Sequence, residues 1–204
     1  MLRSTNPAVA RAGARLASLA AFHHHTANNL VNEAITGSEA QRRGVAEVAT
    51  SNIDHAEFRE WCKSHLLQFF NDPAAEVRRE AGSCFRRLEK EALETYEDLI
   101  IAFCESSAYQ EDSFSILHML EQSVHRLPGI TCLVCEKFLD RFVDEARDMR
   151  THRAGDSPTV AKLIFRTYHQ HHGDEWASRC LDLIDRMCLE GVADVKGQLE
   201  EFER

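Results

Sequence analysis

Apolar residues recur at steps of three and four along most of the chain, with charged residues between them. The clearest case is Asn71 to Lys90. There Val77, Ala81, Cys84, Phe85 and Leu88 make one stripe, while Glu76, Arg78, Arg79, Glu80, Arg86 and Arg87 cover the other faces. Asp72-Pro73 ahead of the stripe is a start signal. Aspartate accepts hydrogen bonds from unpaired N–H groups, and proline at the first helical position gives up a donor that had no partner. A helix from Pro73 onward is expected. It cannot bury its stripe alone and needs a similar neighbour on each side.

The same period predicts the remaining elements. Pro7 opens a first helix to Phe22, with Val9, Ala12, Leu16, Leu19 and Ala20 as its apolar face and His23, His24 and His25 at its end. Ala27 to Ile35 follows with Leu30 and Val31 inward, closed by Gly37. Ser38 to Asn52 opens on a capping box, Ser38 with Gln41. Ala56 to Phe70 buries Phe58, Trp61, Leu66, Leu67 and Phe70. Tyr96 to Ser106 and Asp112 to Leu127 (with Val124 inward) come next, and Pro128-Gly129 breaks the chain. Ile130 to Met149 is helical, Arg150 to Ser157 reads as a loop, and Pro158 starts another helix. Gly173-Asp174 turns into Glu175 to Leu189. The tail, Asp194 to Arg204, packs Val195, Leu199 and Phe202. No Val/Ile/Thr run alternates with period two, so the fold expected is all-α.

The helices pair with a period. Ala40 to Ile53 superposes on Val77 to Lys90 at a spacing of 36, placing Arg43 on Arg79 and Val45 on Ala81. Repetition at ~33 to 47 residues is the signature of stacked helical hairpins. Asp72-Pro73-x-x-x-Val77-Arg78-x-x-Ala81 resembles the HEAT repeat, whose first helix often opens Asp-Pro and carries Val-Arg-x-x-Ala. The resemblance covers roughly Pro7 to Phe142. It implies a right-handed α-solenoid of about five hairpins, HEAT/armadillo-like, with residues 1–149 as repeats and 150–204 as a C-terminal helical pair and cap on the same stack. A second resemblance lies in Cys180 to Cys188, Gly191-Val192 and the Glu-Glu-Phe-Glu-Arg ending. It is similar to the helical C-terminal end of large bacterial ATP-binding proteins of the STAND type. The chain has no GxxxxGK[ST] motif, so a nucleotide site would lie elsewhere. The first helix reads like the middle of a stack, as a fragment or split gene would.

Composition sharpens this picture. The chain has 204 residues, 44% hydrophobic and 28% charged, with a net charge of −9. A negative balance disfavours nucleic acid, whose phosphates it repels. No apolar run reaches the ~18 to 20 residues of a membrane span. Seven cysteines on helical faces suggest a reduced cytoplasmic thiol set. Residues 1–32 carry Arg3, Arg11 and Arg15 and no acid, a weak transit-peptide pattern better read as a packed first helix.

Candidate chemistry is sparse. His23, His24 and His25 point about 100° apart on a helix and cannot converge on one metal. His169, His171 and His172 straddle a helix end and a turn. Cys132-x-x-Cys135 has no second pair to complete a zinc site and reads as core. No nucleophile, base, metal set or cofactor motif appears, so the chain is expected to be non-enzymatic and to bind another protein. Arg78 and Arg79 lie near a helix start, where the dipole disfavours cations, and are the leading contact candidates. Trp61, His65 and Arg141 are expected on the second, partner-facing helices. The alternative function is a sensor or regulatory segment acting on a STAND-type ATPase in bacterial signalling or defence.

Overall fold

A computed structural model of the chain describes residues 1–88, 90–123, 126–192, 197 and 200, without the side chains of 90–92. The expected inward positions of Val124, Val195, Leu199 and Phe202 lie outside the described residues. Every regular element among the described residues is helical. The chain divides into two compact units, residues 1–115 and 116–204.

The first unit holds α1 (Pro7–Ala21), α2 (Asn28–Ile35), α3 (Glu39–Asn52), α4 (Arg59–Phe69), α5 (Ala75–Gly82), α6 (Glu97–Glu105) and α7 (Ala108–Glu111), with 3-10 turns at His25–Ala27, Ser83–Arg86 and Lys90–Tyr96. Pro7 stands in the first turn of α1, and Asn6 caps it by accepting from the Ala8 N–H at 3.0 Å. Ser38 and Gln41 form the expected capping box on α3. Alternate helices pack in succession: α1 on α3, α3 on α5 and α5 on α7, with α2 and α4 alongside. Phe103 of α6 ties this core together, with its ring 5.1 Å from that of Phe70, 4.6 Å from Phe85 and 5.6 Å from Tyr109.

Two expectations fail in this unit. The buried face of α1 is Ala10, Gly13, Ala14, Ala17, Ser18 and Ala21, and Val9, Leu16 and Leu19 are exposed. The cause is close packing. At Gly44 of α3 an added Cβ would lie 2.5 Å from the Arg11 carbonyl oxygen, a separation that only small residues on both helices permit. Leu30 and Leu67, expected inward, are likewise exposed. Second, α5 begins at Ala75 and tightens to 3-10 geometry at Ser83. The Asp72 carboxylate accepts from the Ala74 N–H at 2.8 Å and takes an arginine from α3, so it closes a turn two residues ahead of the helix.

The helix α8 (Ser113–Glu121) carries the division between units. The second unit holds α9 (Pro128–Arg147), α10 (His152–Gln170) and α11 (Glu175–Leu189). These three pack pairwise around Phe138, Leu139, Val160, Leu163, Ile164, Leu183 and Met187. Pro128 opens α9, so the Pro-Gly pair is a start and not a break. Arg150 to Ser157 is no loop. Thr151 caps Ala154, α10 runs from His152, and Pro158 lies inside it. An interior proline costs one backbone hydrogen bond. The polar run stays helical with Thr151 as its cap and the Arg153 side chain buried. Arg153, 3% exposed, lies 3.9 Å from the Phe142 ring centre and within 3.6 Å of Glu145 and Asp156 carboxylates.

Candidate functional site

Alternate-helix packing in the first unit sets the outer positions of α1, α3 and α5 side by side. Arginine and glutamate occupy them in turn. Arg11 on α1 pairs with Glu47 on α3, and Arg15 lies 3.6 Å from the same carboxylate. Arg43 on α3 reaches Glu76 at 3.3 Å and Glu80 at 3.5 Å on α5. Arg79 on α5 pairs with Glu76 and lies 3.7 Å from Glu111 on α7.

The ladder floors a broken groove. Between α1 and α3 it opens to about 680 Å³, lined by Pro7, Arg11, Glu39 and Arg43 among others. A second hollow of about 290 Å³ takes Arg15, Leu19, Glu47, Glu80 and Arg87. A third of about 150 Å³ lies beneath Arg43, Arg79, Arg86 and Asp112. Most of these charges are engaged. Burial lowers the pKa of Arg11, with the Arg43 charge adding to the effect and Glu80 opposing it. Arg86 donates to Ser115 Oγ at 2.6 Å and lies 3.3 Å from Asp112. Arg87 is exposed and makes no ion pair with a described residue.

The five residues singled out in the sequence fall into three places. Arg78 is a staple more than a contact group. Its guanidinium donates to the carbonyls of Asp72 at 2.7 Å and Pro73 at 3.0 Å and to Glu111 at 2.5 Å, and its side chain is 17% exposed. Arg79 is half exposed on the groove. Trp61 and His65 belong to an aromatic cluster between the end of α1 and α4. Phe22 stacks on Phe58 at 4.1 Å, Trp61 meets Phe22 edge-on at 4.9 Å, and His65 stacks on Trp61 at 4.0 Å. Burial lowers the pKa of His65, partly offset by its 2.8 Å hydrogen bond to the Trp61 carbonyl. Arg141 is half-buried on α9, in the second unit.

The ladder partners Arg11, Arg15 and Glu47 were not identified as a site from sequence, although the superposition of Arg43 on Arg79 was their signal. Phe58 shared the helical face of Trp61 and His65, but Phe22 came from a distant helix end. No group of three or more metal-binding side chains converges among the described residues. Cys132 and Cys180 approach to 3.7 Å between sulfurs, joining α9 to α11. The Cys180 contact, helped by the Arg179 charge, lowers the Cys132 pKa against its burial, while Cys180 is pushed up. No helix among the described residues is long and apolar enough to cross a membrane. Comparison with protein-family models, curated proteins and solved structures finds no match.

Proposed function

We propose that the first unit is a short HEAT-like α-solenoid that binds a protein partner along the groove over α1, α3 and α5, without catalysis. The observation that carries this reading is the arginine–glutamate ladder. Its recurrence on successive alternate helices, from α1 to α3, α3 to α5 and α5 to α7, is what stacked hairpins produce. A floor of alternating charges suits an extended polar segment, whose own charges can enter the ladder one rung at a time.

The test uses Arg79→Glu with Arg87→Glu, two exposed groove residues whose exchange leaves the core untouched. Both chains are used as bait in the same lysate, with circular dichroism confirming equal helicity. A partner held by the parent and lost by the variant supports the groove. Identical captures from both chains overturn it. If the partner lost is a P-loop NTPase, the groove serves the regulation of that enzyme.

A further inference from the structure

The first and last helices of the element order each keep one face in their own unit and leave the other open. On α1, Val9, Ala12, Leu16, Leu19 and His23 follow at steps of three and four and share one arc. Val9 is 37% exposed, Leu16 56% and Leu19 42%. Beside this arc cations outnumber acids: Arg15 is 58% exposed, Glu47 of α3 is shared between Arg11 and Arg15, and residues 1–32 contain no acid.

The outer face of α11 is made of Ser178, Leu181, Asp182, Asp185, Cys188 and Leu189, all exposed. Leu181 is 47% and Leu189 87% exposed. Asp182 and Asp185 make no ion pair with a described residue. The two arginines of α11 are turned away, Arg179 to Glu136 at 2.5 Å and Arg186 to Asp140 at 2.7 Å. One terminal face is therefore apolar and basic, the other apolar and acidic.

We propose that this chain self-associates head to tail, with the outer face of α1 in one copy seated on the outer face of α11 in another. Charge complementarity selects the occupant. Two α1 faces would bring the half-exposed Arg15 side chains together and two α11 faces the carboxylates of Asp182 and Asp185, whereas α1 on α11 sets Arg15 against Asp182 and Asp185 across leucines. The contact is heterologous, because each copy offers both faces, so it either closes into a ring of copies or extends. A single helix face is smaller than the ~800 Å² per partner of a standard interface, so the association is weak. It does not depend on the groove.

The test is analytical ultracentrifugation of the full chain over a rising concentration series. Val9→Glu with Leu16→Glu blocks the α1 face and spares Leu19, which lines the groove. Leu181→Lys with Leu189→Lys blocks the α11 face. All four positions are exposed, and helicity checks the fold. The parent is expected to associate as its concentration rises. Each variant alone should associate about ten-fold or more weakly, the loss of one ~1.4 kcal/mol step in affinity. Mixed in equal amounts, the two variants should recover association that stops at a dimer, because each retains one good face. A parent that stays monomeric at the highest concentration overturns the proposal. So does a variant that dimerises as well as the parent, or a mixture no stronger than its components. Binding of another protein at α1 by a monomeric parent also counts against it.

Discussion

Arg42 and Asp72 form a two-point ion pair, Nε to Oδ2 at 2.7 Å and Nη2 to Oδ1 at 3.1 Å, between α3 and the turn before α5. Their side chains are 17% and 5% exposed. The same arginine donates to the Gly37 carbonyl at 2.6 Å, and the same carboxylate accepts from the Ala74 N–H. Removing one partner leaves a buried charge uncompensated. Asp72→Ala and Arg42→Ala are each expected to cost about 3 kcal/mol. The double variant should cost well under their sum, as denaturant unfolding of the four chains would show. Additive costs would mean the pair is not coupled.

Gly44 and Gly155 give opposite outcomes for one substitution. At Gly44 a Cβ would meet the Arg11 carbonyl oxygen at 2.5 Å and the Ala14 side chain at 3.0 Å. Gly44→Ala should destabilise by about 1 to 3 kcal/mol through overpacking. At Gly155, inside α10, a Cβ would meet nothing within 4 Å. Gly155→Ala should stabilise by about 0.5 to 1 kcal/mol, because alanine loses less backbone freedom in a helix. Thermal melting of both variants reads the two signs.

The seven thiols differ in access. Cys188 is exposed and the other six are buried. Burial pushes the Cys62 thiol up to about 12 and the Cys84 thiol well above its usual value. A thiol reagent at mildly alkaline pH should modify Cys188 rapidly in the folded chain and the rest only on unfolding. Fast labelling of Cys62 or Cys84, located by mass spectrometry, would contradict the packing described for α4 and the turn after α5.

His65 gives the chain a pH dependence of known sign. Its folded pKa is lowered from the ordinary 6.5, so the unfolded chain binds the proton more readily. Its contribution is fully present above that ordinary value and is lost as pH falls from there toward the lowered value. This window lies above the range where most carboxylates titrate. His65→Phe, which keeps a ring on Trp61, should flatten the stability profile just below pH 6.5. An unchanged profile would assign the slope to other groups.

The helical class was legible because the three-and-four period survives in nearly every element. Start signals were legible where one local group decides, as with Pro7 and Ser38 with Gln41. They misled where a distant group intervened. Asp72 looked like a cap until Arg42, thirty residues earlier, claimed its carboxylate. Arg150 to Ser157 looked like a loop because nothing local shows that Arg153 lies on the ring of Phe142. On α1 the larger residues suggested the buried face, whereas backbone approach at Gly44 selects the smaller ones. The groove shows the same limit: the period links Arg43 with Arg79, but the glutamates answering them are known only once alternate helices pack.

The alanine-and-glycine seam of α1 has a further consequence for hydrogen exchange. Each buried methylene contributes ~0.8 kcal/mol, and the seam of Ala10, Gly13, Ala14, Ala17, Ser18 and Ala21 buries few of them. α1 is thereby anchored more shallowly than α3 and opens at lower free energy than the whole unit. Its amides should exchange through a detached state while those of α3 remain protected. In that state the 15-residue segment from Pro7 to Ala21 is an isolated helix of marginal length in water.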